Sequence, residues 1–178
     1  SDTSDSPYDN NTGQSEQIAV TNEARGISLT ADFKATDALN VKLIASDRHS
    51  KYSSGLDDDG FEDDFLTFPE DGVADQNSYE LQFSGKSGAI DYVTGLYYFK
   101  EHGGNTQFPY TFNGGGGGFF FLGQKMNSKA VYGNLGFQVN DALHVSGGIR
   151  YTEDEKTART ILIPGVLDET QGRDWEET

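Results

Sequence analysis

The strongest constraint on this chain is an unbroken alternation over residues 131–152, VYGNLGFQVNDALHVSGGIRYT. Before the link, Val131, Gly133, Leu135, Phe137 and Val139 share one parity, and Tyr132, Asn134, Gly136 and Gln138 share the other. After Asn140, Asp141 and Ala142 the pattern resumes. Leu143, Val145, Gly147, Ile149 and Tyr151 fall on one side; His144, Ser146, Gly148, Arg150 and Thr152 fall on the other. Successive side chains of a strand point to opposite faces, so a period of two over both arms specifies antiparallel strands with one apolar and one polar face. The Asn-Asp-Ala link supplies the turn chemistry. Neither arm repeats at helical spacing, and the stretch is a β-hairpin.

The same pattern recurs upstream. Residues 26–35 set Ile27, Leu29, Ala31, Phe33 and Ala35 against Ser28, Thr30, Asp32 and Lys34, with a tight turn at 36–38. A second strand begins at Leu39 and continues, more polar, to about Tyr52. A third, 78–84, sets Tyr79, Leu81 and Phe83 against Glu80 and Gln82, and turns at 85–88. A fourth covers 89–101, where both faces are bulky and the outward one is not assigned by parity. With the hairpin, this predicts six strands joined alternately by short turns near 37, 86 and 141 and by long loops at 53–75, 102–127 and 157–178. TDALNVKL at 36–43 echoes NDALHVSG at 140–147, which supports the same register.

All short links then lie at one end of the sheet and all long ones at the other, the asymmetry of an outer-membrane barrel. The expected fold class is all-β: antiparallel up-and-down strands forming part of a transmembrane β-barrel. Composition agrees. Hydrophobic residues make up only 34% of the chain while aromatics reach 12%, as expected where alternate residues face lipid and the loops are polar. A disordered acidic chain would lack the aromatics. A formal charge of −16 argues against nucleic acid as a partner, whose phosphates recruit Lys and Arg. Cysteine is absent, which excludes disulfides and thiolate sites. SDTSDSPYDN has no basic n-region or apolar core of a signal peptide, and no apolar run approaches the roughly 20 residues of a membrane helix.

The segments NSYELQFSG, AIDYVTGLYYFKE and ALHVSGGIRYTEDEK resemble barrel strands of TonB-dependent outer-membrane receptors, most specifically GGIRYTEDEK, a strand end running into a loop. The resemblance spans about residues 20–156 and implies that residues 1–178 are a segment of such a barrel domain. It implies uptake of a scarce nutrient (iron–siderophore, cobalamin or carbohydrate), a location in the bacterial outer membrane, and lipid as a partner. It also implies contact with the rest of the barrel and a plug, and through that plug with the TonB system. No plug, TonB-contacting segment or terminal strand ending in an aromatic is found in this stretch. Six strands left open would expose two unpaired edges to hydrocarbon, so the piece needs the rest of a larger protein. Two other classes fit the alternation: a soluble all-β binding or adhesion module, and a surface-assembly protein whose strand edges pair between subunits.

The candidate sites are few. DDDGFEDD invites calcium, but with Gly60 at the sixth loop position, Gly55 and Leu66 occupy the first and twelfth, so an EF-hand is rejected. A looser metal site would use Asp57, Asp59, Glu62 and Asp63. From Gly118 the glycine run reaches Gly123, but Gln124 stands where a phosphate loop needs Lys. Phe108, Tyr110, Phe112, Phe119, Phe120 and Phe121 are candidates for a ligand-contacting aromatic surface in the loops. Asp32, Lys34, Glu80, Gln82, Asn134, Gln138 and Arg150 are expected to face the lumen, with Asp32 and Lys34, and Arg150, Asp154 and Lys156, as possible partners. His49, His102 and His144 lack ligand spacing, and no Ser-His-Asp order stands out, so neither a cofactor nor catalysis is expected.

Overall fold

The computed structural model describes residues 19–57, 66–107, 111–112, 115–116, 120–162 and 167–177, all but Ala19 in strands or the turns that join them. Seven long strands follow one another in space as in sequence: β1 (Val20–Thr36), β2 (Leu39–Asp57), β3 (Leu66–Ser87), β4 (Ile90–Gln107), then β7 (Phe120–Asn140), β8 (Leu143–Leu162) and β9 (Leu167–Glu177). Two dipeptides, β5 (Thr111–Phe112) and β6 (Gly115–Gly116), pair with each other, and β5 also pairs with the start of β3. Every pairing is antiparallel.

The up-and-down sheet is the expected one, but its strands are longer. Residues 53–75, 102–127 and 157–178 are not loops for most of their length: they continue β2, β3, β4, β7 and β8, and the last contains a seventh long strand, β9. The β3 strand runs Leu66–Ser87 where 78–84 was expected. The reason is physical. A ladder is made by backbone groups and tolerates polar side chains on both faces. Period two is visible only where the faces differ, and sequences such as HSKYSSG or LDETQGRDWEE offer no such contrast.

The three short turns are where the sequence puts them. Ala38 N donates to Thr36 Oγ1 at 3.2 Å, and Ala142 N to Asn140 Oδ1 at 2.9 Å, so small polar side chains close the chain reversals locally. At the third, Gly88 has φ of +62°, a left-handed conformation that glycine adopts without steric cost.

Residues paired across the ladder share a face. One row runs Ala31, Leu43, Leu81, Leu96, Val131, Tyr151 across six strands; the row beside it, on the other face, runs Asp32, Lys42, Gln82, Gly95, Tyr132, Arg150. The register also assigns β4. Ile90, Tyr92, Thr94, Leu96 and Tyr98 join the apolar face, while Asp91, Val93, Gly95, Tyr97 and Phe99 join the polar one. On the apolar face, residues 90–98, 131–139 and 143–151 form a band nine residues long that carries no charged side chain. Nine to eleven tilted residues are what a strand needs to cross a bilayer. At its loop-proximal edge stand Tyr79 and Tyr98, stacked with ring centroids 6.4 Å apart, and Tyr151. Lys129 and Glu153 continue the row of Tyr79 and Tyr98, and above it the same face carries Arg25, Asp47, Asp75 and Lys100.

The described residues form no protein core of their own. Ala130 is the one buried hydrophobic residue among the described residues, whereas Leu135, Phe137, Val145 and Ile149 are 64, 50, 54 and 69% exposed. The buried positions, Gly72, Gly95, Gly103, Ser128, Ala130 and Gly136, all lie on the polar face. Side chains crowd there and splay apart on the apolar face, as they do when a sheet curves toward its polar side.

Candidate functional site on the polar face

All seven residues expected to face the lumen, Asp32, Lys34, Glu80, Gln82, Asn134, Gln138 and Arg150, fall on the polar face. Their partners differ from the sequence-based expectation. Asp32 meets Lys42 at 3.3 Å, across the ladder, because Lys34 has turned to Asp37 at 2.7 Å. Arg150 Nε donates to Thr152 Oγ1 at 3.1 Å, while Asp154 Oδ1 is buried and accepts no hydrogen bond.

The centre of this face is a cluster that sequence reasoning saw only in part. Tyr132 Oη donates to Glu80 Oε1 at 2.6 Å, and Gln82 Nε2 donates to the same oxygen at 2.9 Å. The Arg150 guanidinium carbon sits 5.4 Å from the Tyr97 ring centroid and 5.9 Å from that of Tyr132. Stacking on two rings holds the cation without a direct carboxylate contact. Gly95 makes room: a Cβ there would stand 2.6 Å from Tyr132 Oη and 2.8 Å from the Leu81 carbonyl oxygen. The tyrosine crosses β4 over this gap to reach β3.

Two more carboxylates repeat the arrangement toward the loop end. Glu101 accepts from Gln76 Nε2 at 2.6 Å and from Gln124 Nε2 at 3.0 Å. Glu70 accepts from Tyr52 Oη and Asn105 Nδ2, and Tyr52 lies over Gly72 as Tyr132 lies over Gly95. Burial, and then the Glu70 carboxylate, push the Tyr52 phenol above its ordinary range, so it remains a donor at neutral pH. Each of the three carboxylates is held by two neutral donors and none by an ion pair among the described residues. Such a column presents fixed, hydrogen-bonded negative charge and amide groups along one face, suited to polar contacts. Glu70, Gln76, Glu101, Asn105 and Gln124 were missed because their segments read as loops or as strand ends. Tyr97 was missed because parity alone did not orient β4.

The other candidates are scattered. Phe120 and Phe121, adjacent in β7, point to opposite faces, with Phe121 lying over Gly123 on the apolar-band side. Phe112 belongs to β5. Phe108, Tyr110 and Phe119 lie outside the described residues, as do Asp59, Glu62 and Asp63 of the looser metal site. Asp57 ends β2. Among the described residues no three His, Asp or Glu side chains are grouped as metal ligands.

No family profile and no curated protein matches this sequence. Among solved structures, the chain is similar to the ferric yersiniabactin uptake receptor FyuA of Yersinia pestis, with a TM-score of 0.76 at 17% identity over 90% of this chain. BauA, the ferric preacinetobactin receptor of Acinetobacter baumannii, aligns over 88% of this chain with a TM-score of 0.49 and 12% identity. This chain spans 25% of the length of the first and 27% of the second. At such identity the likeness to FyuA speaks for fold. The chain is an all-β, antiparallel, up-and-down sheet with the architecture of a receptor barrel segment.

Proposed function

We propose that this chain forms part of the transmembrane wall of a TonB-dependent outer-membrane receptor that imports an iron–siderophore complex. The observation that carries the reading is the nine-residue, charge-free apolar band with tyrosines at its edge and a charged continuation above it. Apolar side chains there enter lipid, each large one contributing roughly 1.5–3 kcal/mol of burial. The polar face lines the lumen. Its Glu80, Glu101 and Glu70 column and Arg150 meet water, a plug or passing solute, and aromatic residues 108–120 near the loop end contribute ligand contacts. The free edges at β1 and at residues 143–151 of β8, which β9 leaves uncovered, pair with further strands of the same barrel. The siderophore class rests on the likeness to FyuA, whose cargo is ferric yersiniabactin.

The test uses the full-length receptor in lipid. Single spin labels along 131–139 and 143–151 should show oxygen accessibility that oscillates with period two, high at Leu135, Phe137, Val145 and Ile149. At Tyr132, Asn134 and His144 a water-soluble nickel chelate should dominate instead. Labels at the first four positions shielded from both reagents, as in a protein core, would sink the wall assignment. Import is tested separately: deletion of the receptor should abolish growth on an iron-loaded siderophore as sole iron source.

A further inference from the structure

Side chains on the polar face bridge strands over glycines. Tyr132 of β7 spans Gly95 of β4 and donates to Glu80 of β3 at 2.6 Å. His144 of β8 meets Asp91 of β4 at 2.8 Å above Gly136 of β7, where a Cβ would stand 2.6 Å from His144 Nε2. In both cases the middle strand lacks a side chain, and the bridge ends on a carboxylate two strands from its origin. Tyr52 covers Gly72 and donates to Glu70 in the same manner.

Gly26 of β1 carries no such bridge, and a cation stands beside it. It lies opposite Arg48 of β2, and the atoms nearest to a Cβ there would be the Asp47 carbonyl oxygen and the Cα and Cβ of Arg48. Arg48 is exposed and has no hydrogen bond or ion pair among the described residues. No acid adjoins it on this face: Gln76 is opposite on β3, and its flanking and diagonal neighbours are serines and alanines. Glu101, beyond Gln76 on β4, already accepts from Gln76 and Gln124. The remaining direction for the guanidinium is over Gly26, past the edge of the sheet.

We infer that the strand pairing with β1 presents an Asp or Glu to Gly26, opposite or diagonal on the polar face, and that Arg48 crosses the glycine to reach it. The inference rests on the wall assignment above, in which the β1 edge joins a further strand of the same protein. Two strand spacings come to roughly 10 Å, a span that a guanidinium and an acidic side chain close between them. A carboxylate matches the planar guanidinium with two parallel hydrogen bonds. The pair also fixes register, because a slip of one residue would turn the acid to the other face. Arg48 thereby specifies which strand closes on this edge, and where along it.

The experiment uses the full-length receptor in lipid vesicles. Disulfide trapping between Thr30→Cys and single cysteines along the other strands identifies the neighbour of β1 and its register. The residue facing Gly26, or one of its two same-face neighbours on that strand, should be Asp or Glu. R48Q and the acid-to-amide variant should each lower the denaturation midpoint, and the double variant should lie no lower than the worse single one. Heat-dependent gel migration verifies folding. Where a single variant fails that control the charge swap decides, because R48E with Arg in place of the acid should recover the wild-type midpoint. No acid at those positions, additive losses, an unrecovered swap, or a disulfide formed only between receptor copies overturns the inference. Spin-label accessibility separates this failure from that of the wall: period-two lipid exposure along 131–139 and 143–151 with additive losses removes only the Arg48 bridge.

Discussion

The turn-proximal and loop-proximal halves of this sheet share strands, register and hydrogen bonds, yet differ in what their faces ask of their surroundings. In the turn-proximal half the ion pairs Lys42–Asp32 and His144–Asp91 lie on the polar face, and the opposite face carries no charge between the row from Ala31 to Tyr151 and the turns. In the loop-proximal half that opposite face carries Lys51–Glu23, His49–Asp75 and Arg159–Asp168, at 2.8, 2.6 and 2.8 Å. Backbone pairing fixes the sheet in both halves. Side chains alone decide where along it one face changes from uncharged to charged.

The largest break of this comparison comes from moving a charge between the halves. Leu135→Arg should cost about 2–4 kcal/mol of stability in lipid vesicles, the cost of a cation near mid-bilayer. Asn127→Arg, on the same face and strand above the boundary, should stay within about 0.5 kcal/mol. Equal losses in denaturant titrations of the two variants would erase the boundary.

The glycine gaps sharpen it next. Gly95→Val should cost about 1–3 kcal/mol, because its Cβ meets the Leu81 carbonyl oxygen, which cannot move aside, as well as Tyr132. Gly72→Val meets the Tyr52 ring first, which can swing toward water, so its loss should be the smaller. A reversed order in the same titration would place the rigid packing in the wrong half. Smaller again is Tyr132→Phe, which removes one donor from Glu80 and should cost about 1 kcal/mol.

The smallest effect is electrostatic. The Arg159 hydrogen bonds hold the Asp168 carboxyl below its ordinary value, and Lys51 does the same for Glu23. Lowered folded values mean that the stabilisation is fully present above the ordinary carboxylate range and fades as pH falls through the lowered ones. Both pairs are solvent-exposed, so salt should mute the change. Amide exchange at the loop-proximal ends of β1–β2 and β8–β9, corrected for its intrinsic pH dependence, should lose protection on acidification, with the turn-proximal amides unmoved. Protection that rises in acid would contradict the pairing.

How much of this was legible beforehand follows from the same contrast. The turn-proximal half could be read because Leu135 and Phe137 alternate with Asn134 and Gln138, so the two faces differ at every second residue. The loop-proximal half was read as loops because Ser50, Lys51, Tyr52 and Ser53 are tolerated on either face by water, although each is paired in the ladder. Glu80, Gln82 and Arg150 could be placed on one face from local parity. Their association with Tyr132 and Tyr97 needed the cross-strand register, which joins positions 52 residues apart in the case of Tyr132 and Glu80.

The ladder between β4 and β7 runs from Ile90 opposite Phe137 to Gln107 opposite Phe120 without a register shift, and the shifts elsewhere sit beside turns, at Lys34/Thr36 and Gln138/Asn140. A plank with no joint along its length has no place to flex. Force applied at one end of it is therefore delivered to the other as tilt of the whole slat.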